Sequence, residues 1–166
     1  MTSHVNGTEL PGKSPFNFTK ILVAIDGSDI AINAAKIAIQ LAEKYNAELV
    51  VLHVIDSSIR YESVGDDTFP GYRGSLNQVV DIATEKGQKL VDEVKQKASE
   101  NNINIKTEVL LGVGSIVKEI VEYAENNMID LIVLGTRGRS GIKKVLLGST
   151  ASGVVSHSRL PVMVVK

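Results

Sequence analysis

The chain contains no cysteine, which excludes a disulfide scaffold, a zinc ribbon and a thiol nucleophile, and fits a reducing compartment. It has no excess charge of either sign: 18 Lys and Arg stand against 19 Asp and Glu, a net charge of −1. Neither nucleic acid nor an anionic membrane is therefore an expected partner. No apolar run approaches the roughly 20 residues of a spanning helix. The N-terminus lacks the basic and then apolar stretches of a secretion signal. The expectation is a soluble, cytoplasmic protein.

At 166 residues the length suits one domain able to bury a substantial core. Residues 1–19 are polar, carry Gly7, Pro11, Gly12 and Pro15, and have no periodicity. They read as a flexible N-terminal extension, with Phe16 and Phe18 as candidates for packing on the domain edge. Residues 20–166 read as a single domain.

From Lys20 the pattern becomes regular. Ile21–Ile25 is a short continuous apolar run, the signature of a parallel strand covered on both faces, and it ends in Asp26-Gly27-Ser28. Ser28 or Asp29 can cap a helix in which Ile30, Ala34, Ile37 and Leu41 recur at helical spacing. Leu49–Ile55 is a second buried strand. Residues 56–75 break the rhythm and read as a long loop, which in compact domains is functional or disordered. Leu76, Val79, Val80, Ala83, Leu90, Val91, Val94 and Ala98 mark a long amphipathic helix, with Gly87 a weak point. Ile103–Leu111 alternates like a strand nearer an edge. A helix capped by Ser115 follows, with Val117, Ile120, Val121 and Ala124 inward. Met128–Leu134 is a fourth strand, Ala151–Ser158 a helix and Leu160–Val165 a fifth strand. Strands alternating with helices imply an α/β fold with right-handed crossovers. We expect a three-layer α/β/α domain with a five-stranded parallel sheet in the order 3-2-1-4-5.

The most informative stretch is Leu134–Thr150. Gly135 and Gly138 follow the fourth strand, and Gly148-Ser149-Thr150 opens the next helix, in the spacing G-x2-G-x9-G-[ST]. Glycines allow backbone N–H groups close to a ligand. A helix start adds unpaired donors and the positive end of its dipole. Arg137, Arg139, Lys143 and Lys144 add positive charge. The physical reading is a polyphosphate cradle. In an open parallel sheet ligands sit beyond the carboxyl ends of the strands where strand order reverses. The order 3-2-1-4-5 puts that place between the first strand, which ends at Asp26, and the fourth, which ends at Gly135.

The spacing of Gly135, Gly138, Gly148 and Ser149 resembles the nucleotide loop of the universal stress protein family, in its ATP-binding branch, and the resemblance covers about Lys20–Lys166. It implies an adenine pocket of Ala24, Asp26, Val54 and Leu134, with Asp26 contacting the nucleoside and the Val54 backbone bonding the base. Ribose and phosphates would fall on Gly135, Arg137, Gly138, Gly148, Ser149 and Thr150. Mg²⁺ or Mn²⁺ would be held through phosphate oxygens, since no carboxylate cluster accompanies the loop. The apolar fifth strand offers an uncovered edge, and the resemblance implies a homodimer through it. Function would be that of an ATP-binding stress-response module that recruits or releases partner proteins the sequence does not identify.

Blander readings stand beside these. Asp26 can serve as a helix-start residue, Ser149 and Thr150 as caps, and the four cations as a solvated loop. His53 reads as a packed core or rim histidine rather than a catalyst, and His157 as a partner of a helix dipole. Gly112-Val113-Gly114 begins like G-x-G-x-x-G, but Val117 takes the third glycine's place. The absence of G-x4-G-K-[ST] excludes a Walker-type NTPase. The alternative function is a nucleotide-hydrolysing or adenylating enzyme of a related α/β class.

Overall fold

The computed structural model describes residues 17–56, 73–99, 102–136 and 147–166. In chain order they form β1 (Lys20–Ala24), α1 (Asp29–Tyr45), β2 (Glu48–Ile55), α2 (Arg73–Ser99), β3 (Ile105–Leu111), α3 (Ile116–Asn126), β4 (Leu131–Gly135), α4 (Ser149–His157) and β5 (Val162–Val165). All four strand pairings are parallel, and the sheet runs β3-β2-β1-β4-β5. This is the expected three-layer α/β/α fold.

Because successive side chains alternate across a strand, the continuous apolar runs feed two cores. Ile21, Val23, Leu49, Val51, Leu131 and Val133 face α1 and α2. Leu22, Val50, Leu52, Ile132 and Leu134 face α3 and α4. Each fully buried Leu or Ile contributes about 1.5–3 kcal/mol, so the alternation makes the three layers mutually dependent.

The buried face of α1 is built from Ala31, Ala34, Ala35, Ala38 and Ala42 with Ile39, whereas Ile37 and Leu41 flank it, half-buried. The expected apolar stripe is thus rotated toward its small residues, which let the helix backbone approach the sheet. Ser28 is the N-cap and its hydroxyl accepts the N–H of Ala31 at 3.2 Å. Ser115 occupies the N-cap position of α3, but its side chain makes no capping bond. Instead the carboxylate of Glu119 takes the N–H of Val113 at 3.1 Å.

The strand ends differ from the expected ones for local reasons. Met128 has φ 55° and is 81% exposed, so the fourth strand starts only after that left-handed turn. The fifth starts after Pro161, which has no N–H to give, although its carbonyl accepts from Ile132 at 3.0 Å. Helix α4 begins earlier than expected, at Ser149.

Phe18 packs edge-on against Tyr45, with ring centroids 5.3 Å apart. At the same end of the sheet, a carboxylate oxygen of Asp130 accepts the Thr19 N–H and hydroxyl at 2.7 Å each and the Lys20 N–H at 2.9 Å. The Asp130 N–H returns a bond to the Lys20 carbonyl at 2.8 Å. Burial acts to raise the carboxyl pKa, but the three bonds from Thr19 and Lys20 outweigh it and leave the group below its ordinary value. Residues 1–16 of the N-terminal extension, Phe16 among them, and 57–72 of the expected long loop lie outside the described residues, while residues 73–75, expected to close that loop, already belong to α2.

Candidate functional site

The carboxyl ends of β1 and β4 open into a cavity of about 680 Å³, a size typical of small-molecule sites. Ala24, Asp26, Val54, Leu134, Gly135, Gly148, Ser149 and Thr150 line it together. Arg137 and Gly138, the other two candidates, lie outside the described residues, as do Arg139, Lys143 and Lys144.

The β1 side is braced from within the chain. Asp26 Oδ1 accepts the N–H of Ser28 at 3.0 Å and its hydroxyl at 2.7 Å, and Ser28 in turn caps α1. Asp26 therefore does act at the helix start, through Ser28, while also lining the cavity. Continuing the β1–β2 register from Ala24↔Leu52 brings Asp26 level with Val54, and the N–H of Ile25 reaches the Leu52 carbonyl at 2.9 Å.

The β4 side is closed by Thr136. Its N–H donates to the Val165 carbonyl and its own carbonyl accepts the N–H of Gly148, both at 2.7 Å. The two ends of the glycine loop are thus tied together and to β5. The amide of Gly148 is consequently engaged by the protein, so any anion held here falls to the next amides. Gly148 is the N-cap of α4 and, as a glycine, offers no capping side chain of its own. The first-turn amides of Ser149, Thr150 and Ala151 lack intrahelical acceptors, and the positive end of the dipole lies at the cavity wall.

Gly135 has a packing reason that its spacing did not reveal. A Cβ there would stand 2.9 Å from Ile30 Cγ2 and 3.2 Å from the Ala31 nitrogen. Its hydrogen lets the start of α1 seat against the end of β4.

The cavity also takes in residues the sequence reading missed as site residues: Thr136, His53, and Ala83 and Lys86 of α2, with Ile116 and Ile120 of α3. Thr136 sits inside the glycine motif and is 5% exposed, a signal that the motif itself offered. The helix residues carried none, because an apolar stripe reads as core. His53 is 9% exposed, and its Nδ1 lies 2.8 Å from the Ile25 carbonyl. Gly112 does not line this cavity; its N–H donates to the Ile55 carbonyl at 3.0 Å.

A doubly wound parallel sheet with a cavity at its switch point and an uncapped helix start in the wall defines a class of small-ligand binding domains. Within that class the chain belongs to the Universal stress protein family, whose sequence profile matches residues 17–166. It is 39% identical over 151 residues to universal stress protein MJ0531 of Methanocaldococcus jannaschii, a match covering 90% of this chain and 82% of that one. Universal stress protein UspA from Lactobacillus plantarum superposes with a TM-score of 0.78 at 31% identity, over 91% of this chain and 99% of that one. A universal stress protein in complex with cAMP shares the fold at a TM-score of 0.63 and 24% identity, over 90% of this chain and 97% of the other.

Proposed function

We propose that this protein is an adenine-nucleotide-binding regulatory module of the stress response, with ATP as its ligand. The observation that carries the reading is the convergence in one cavity of Asp26, the Val54 strand end and the uncapped start of α4. A carboxylate suits ribose hydroxyls, an apolar strand end suits a base, and free helix amides suit phosphates. Leu134 and Ala24 floor the base, and the phosphate tail reaches Ser149 and Thr150, with Arg137 and Gly138 contributing from the loop.

Among the described residues no group of three or more His, Asp or Glu side chains could hold a metal. Mg²⁺ or Mn²⁺ would therefore arrive on the phosphate oxygens, a mode that suits magnesium. Asp26 Oδ1 is engaged by Ser28, which favours holding a hydroxyl over removing a proton, so turnover is slow at most. The family name supports a stress role, and the cytoplasm is the compartment that fits.

The test is mass spectrometry of the gently denatured protein, followed by calorimetric titration with ATP and Mg²⁺. Adenine nucleotide should travel with the protein, and Asp26→Ala should weaken binding about tenfold or more, the loss of a charged hydrogen-bond partner. No co-purifying nucleotide together with no heat on titration would refute the reading.

A further inference from the structure

The cavity carries residues of both cores, so it wraps around the carboxyl end of the sheet. Ala24, Val54 and Leu134 belong to the α3 and α4 side, where the base is proposed to sit. Ile25 and Ala31 belong to the α1 and α2 side, and alternation along β2 puts His53 there too. Val79, Ile82, Ala83 and Lys86 complete that second lobe, and their spacing of i, i+3, i+4 and i+7 makes them one face of α2. None of these is needed to hold a nucleotide in the manner proposed above.

The polar groups of this lobe are few and unpaired. A carbonyl oxygen can only accept, so the 2.8 Å contact with Ile25 places a proton on His53 Nδ1. In the neutral ring Nε2 is then an acceptor. The side chain is nine-tenths buried, and Nε2 has no partner among the described residues. Gly87 lets the α2 backbone pack on the ring: a Cβ there would lie 2.7 Å from His53 Cδ2 and 3.5 Å from Nε2. One residue away, Lys86 is exposed and has no ion-pair partner among the described residues. Ile82 is 52% exposed, a large apolar side chain left open beside Val79 and Ala83.

We propose that this lobe is a second binding site, beside the nucleotide, for a small amphipathic acid that carries a hydroxyl. The apolar body covers Val79, Ile82 and Ala83, the acid group meets Lys86, and the hydroxyl donates to His53 Nε2. A polyanion would find a single cation here. A wholly apolar ligand would leave the buried acceptor unpaired. The site goes beyond the nucleotide reading and does not depend on it.

The test titrates the full chain with 6-hydroxy-2-naphthoate and with 2-naphthoate, followed by probe fluorescence, with and without saturating ATP and Mg²⁺. Wild type should bind both probes whether or not ATP is present. The hydroxylated probe should bind tighter by about fivefold, the worth of one hydrogen bond. Lys86→Glu and Ile82→Asn change exposed side chains of α2 and should leave far-ultraviolet circular dichroism unchanged. Each should weaken both probes by about fivefold or more, through lost charge pairing or lost apolar contact. Displacement of the probe by ATP, one for one, would make the lobe part of the nucleotide site and overturn the proposal. Equal affinity for the two probes, variants that bind as wild type does, or no binding to wild type would overturn it as well. Probe binding by a protein that binds no ATP would remove the nucleotide reading and leave this site standing.

Discussion

The N–H of Gly148 donates to the carbonyl oxygen of Thr136 across 2.7 Å, joining the residue that closes the glycine loop to the residue that opens it. Gly148 has φ −69° and ψ 162°, a conformation proline adopts. Gly148→Pro therefore removes the donor without forcing the dihedral. Chemical denaturation should show a loss of about 0.5–1.5 kcal/mol, the net value of one hydrogen bond. An unchanged midpoint would mean that this bond does not hold the loop ends together.

Gly87 lies within α2, where replacing glycine by alanine ordinarily gains up to about 1 kcal/mol. Here the added Cβ would meet His53 Cδ2 at 2.7 Å and Val109 Cγ1 at 3.0 Å. The sign should reverse, with Gly87→Ala destabilising by about 1–3 kcal/mol through overpacking. Gly114, where a Cβ would meet nothing within 4 Å, supplies the control, and Gly114→Ala should change the melting temperature little. A more stable Gly87→Ala protein would show that helix and histidine are not in close contact.

Asp130 ties the start of β1 to β4 through Thr19 and Lys20. Its carboxyl is held below the ordinary value of 3.8. A depressed carboxylate contributes stability that is present in full above the unfolded-state value and is lost as pH falls through the lower folded-state value. Asp130→Asn should therefore cost about 1 kcal/mol at neutral pH, solvent keeping the figure small. The difference from wild type should shrink on acidification below about pH 4. A gap independent of pH would assign the loss to packing rather than to charge.

The carbonyls of Pro161 and Val165 accept from Ile132 and Thr136. By alternation along the strand, the backbone groups of Val164 point away from β4 toward the sheet edge. An apolar edge of this kind favours pairing with a second copy, and we expect a homodimer through β5. Val164→Pro removes an outward donor without touching the β4 ladder. Light scattering after gel filtration should then report a monomer with unchanged far-ultraviolet circular dichroism. A persisting dimer would place the interface elsewhere.

The layered fold was legible because its signals are local and repeated. Apolar runs such as Ile21–Ile25 and Leu49–Ile55 announce two-faced burial before any partner is known, and the alternation of strand and helix then restricts the topology to few arrangements. Among the residues that line the cavity, Asp26 and the Gly148-Ser149-Thr150 turn were marked by a strand end and by glycine spacing, and Val54 by the family resemblance. The residues missed bear on the cavity from elsewhere in the chain. Nothing near Ala83 or Lys86 marks them as wall rather than core or surface, and Gly87 looked like a weak point because its reason is the ring of His53, more than thirty residues away in sequence.

By itself the sequence determined the order of elements, the two buried faces of the sheet and the place where a ligand could enter, because hydrophobic periodicity and turn chemistry are properties of neighbouring residues. Only the tertiary structure decided that the Gly148 amide is already engaged by Thr136, that Gly135 and Gly87 make room for Ile30 and His53, and that the His53 ring bonds the Ile25 carbonyl. Those outcomes depend on distances of a few tenths of an ångström between segments far apart in the chain, which local pattern does not encode.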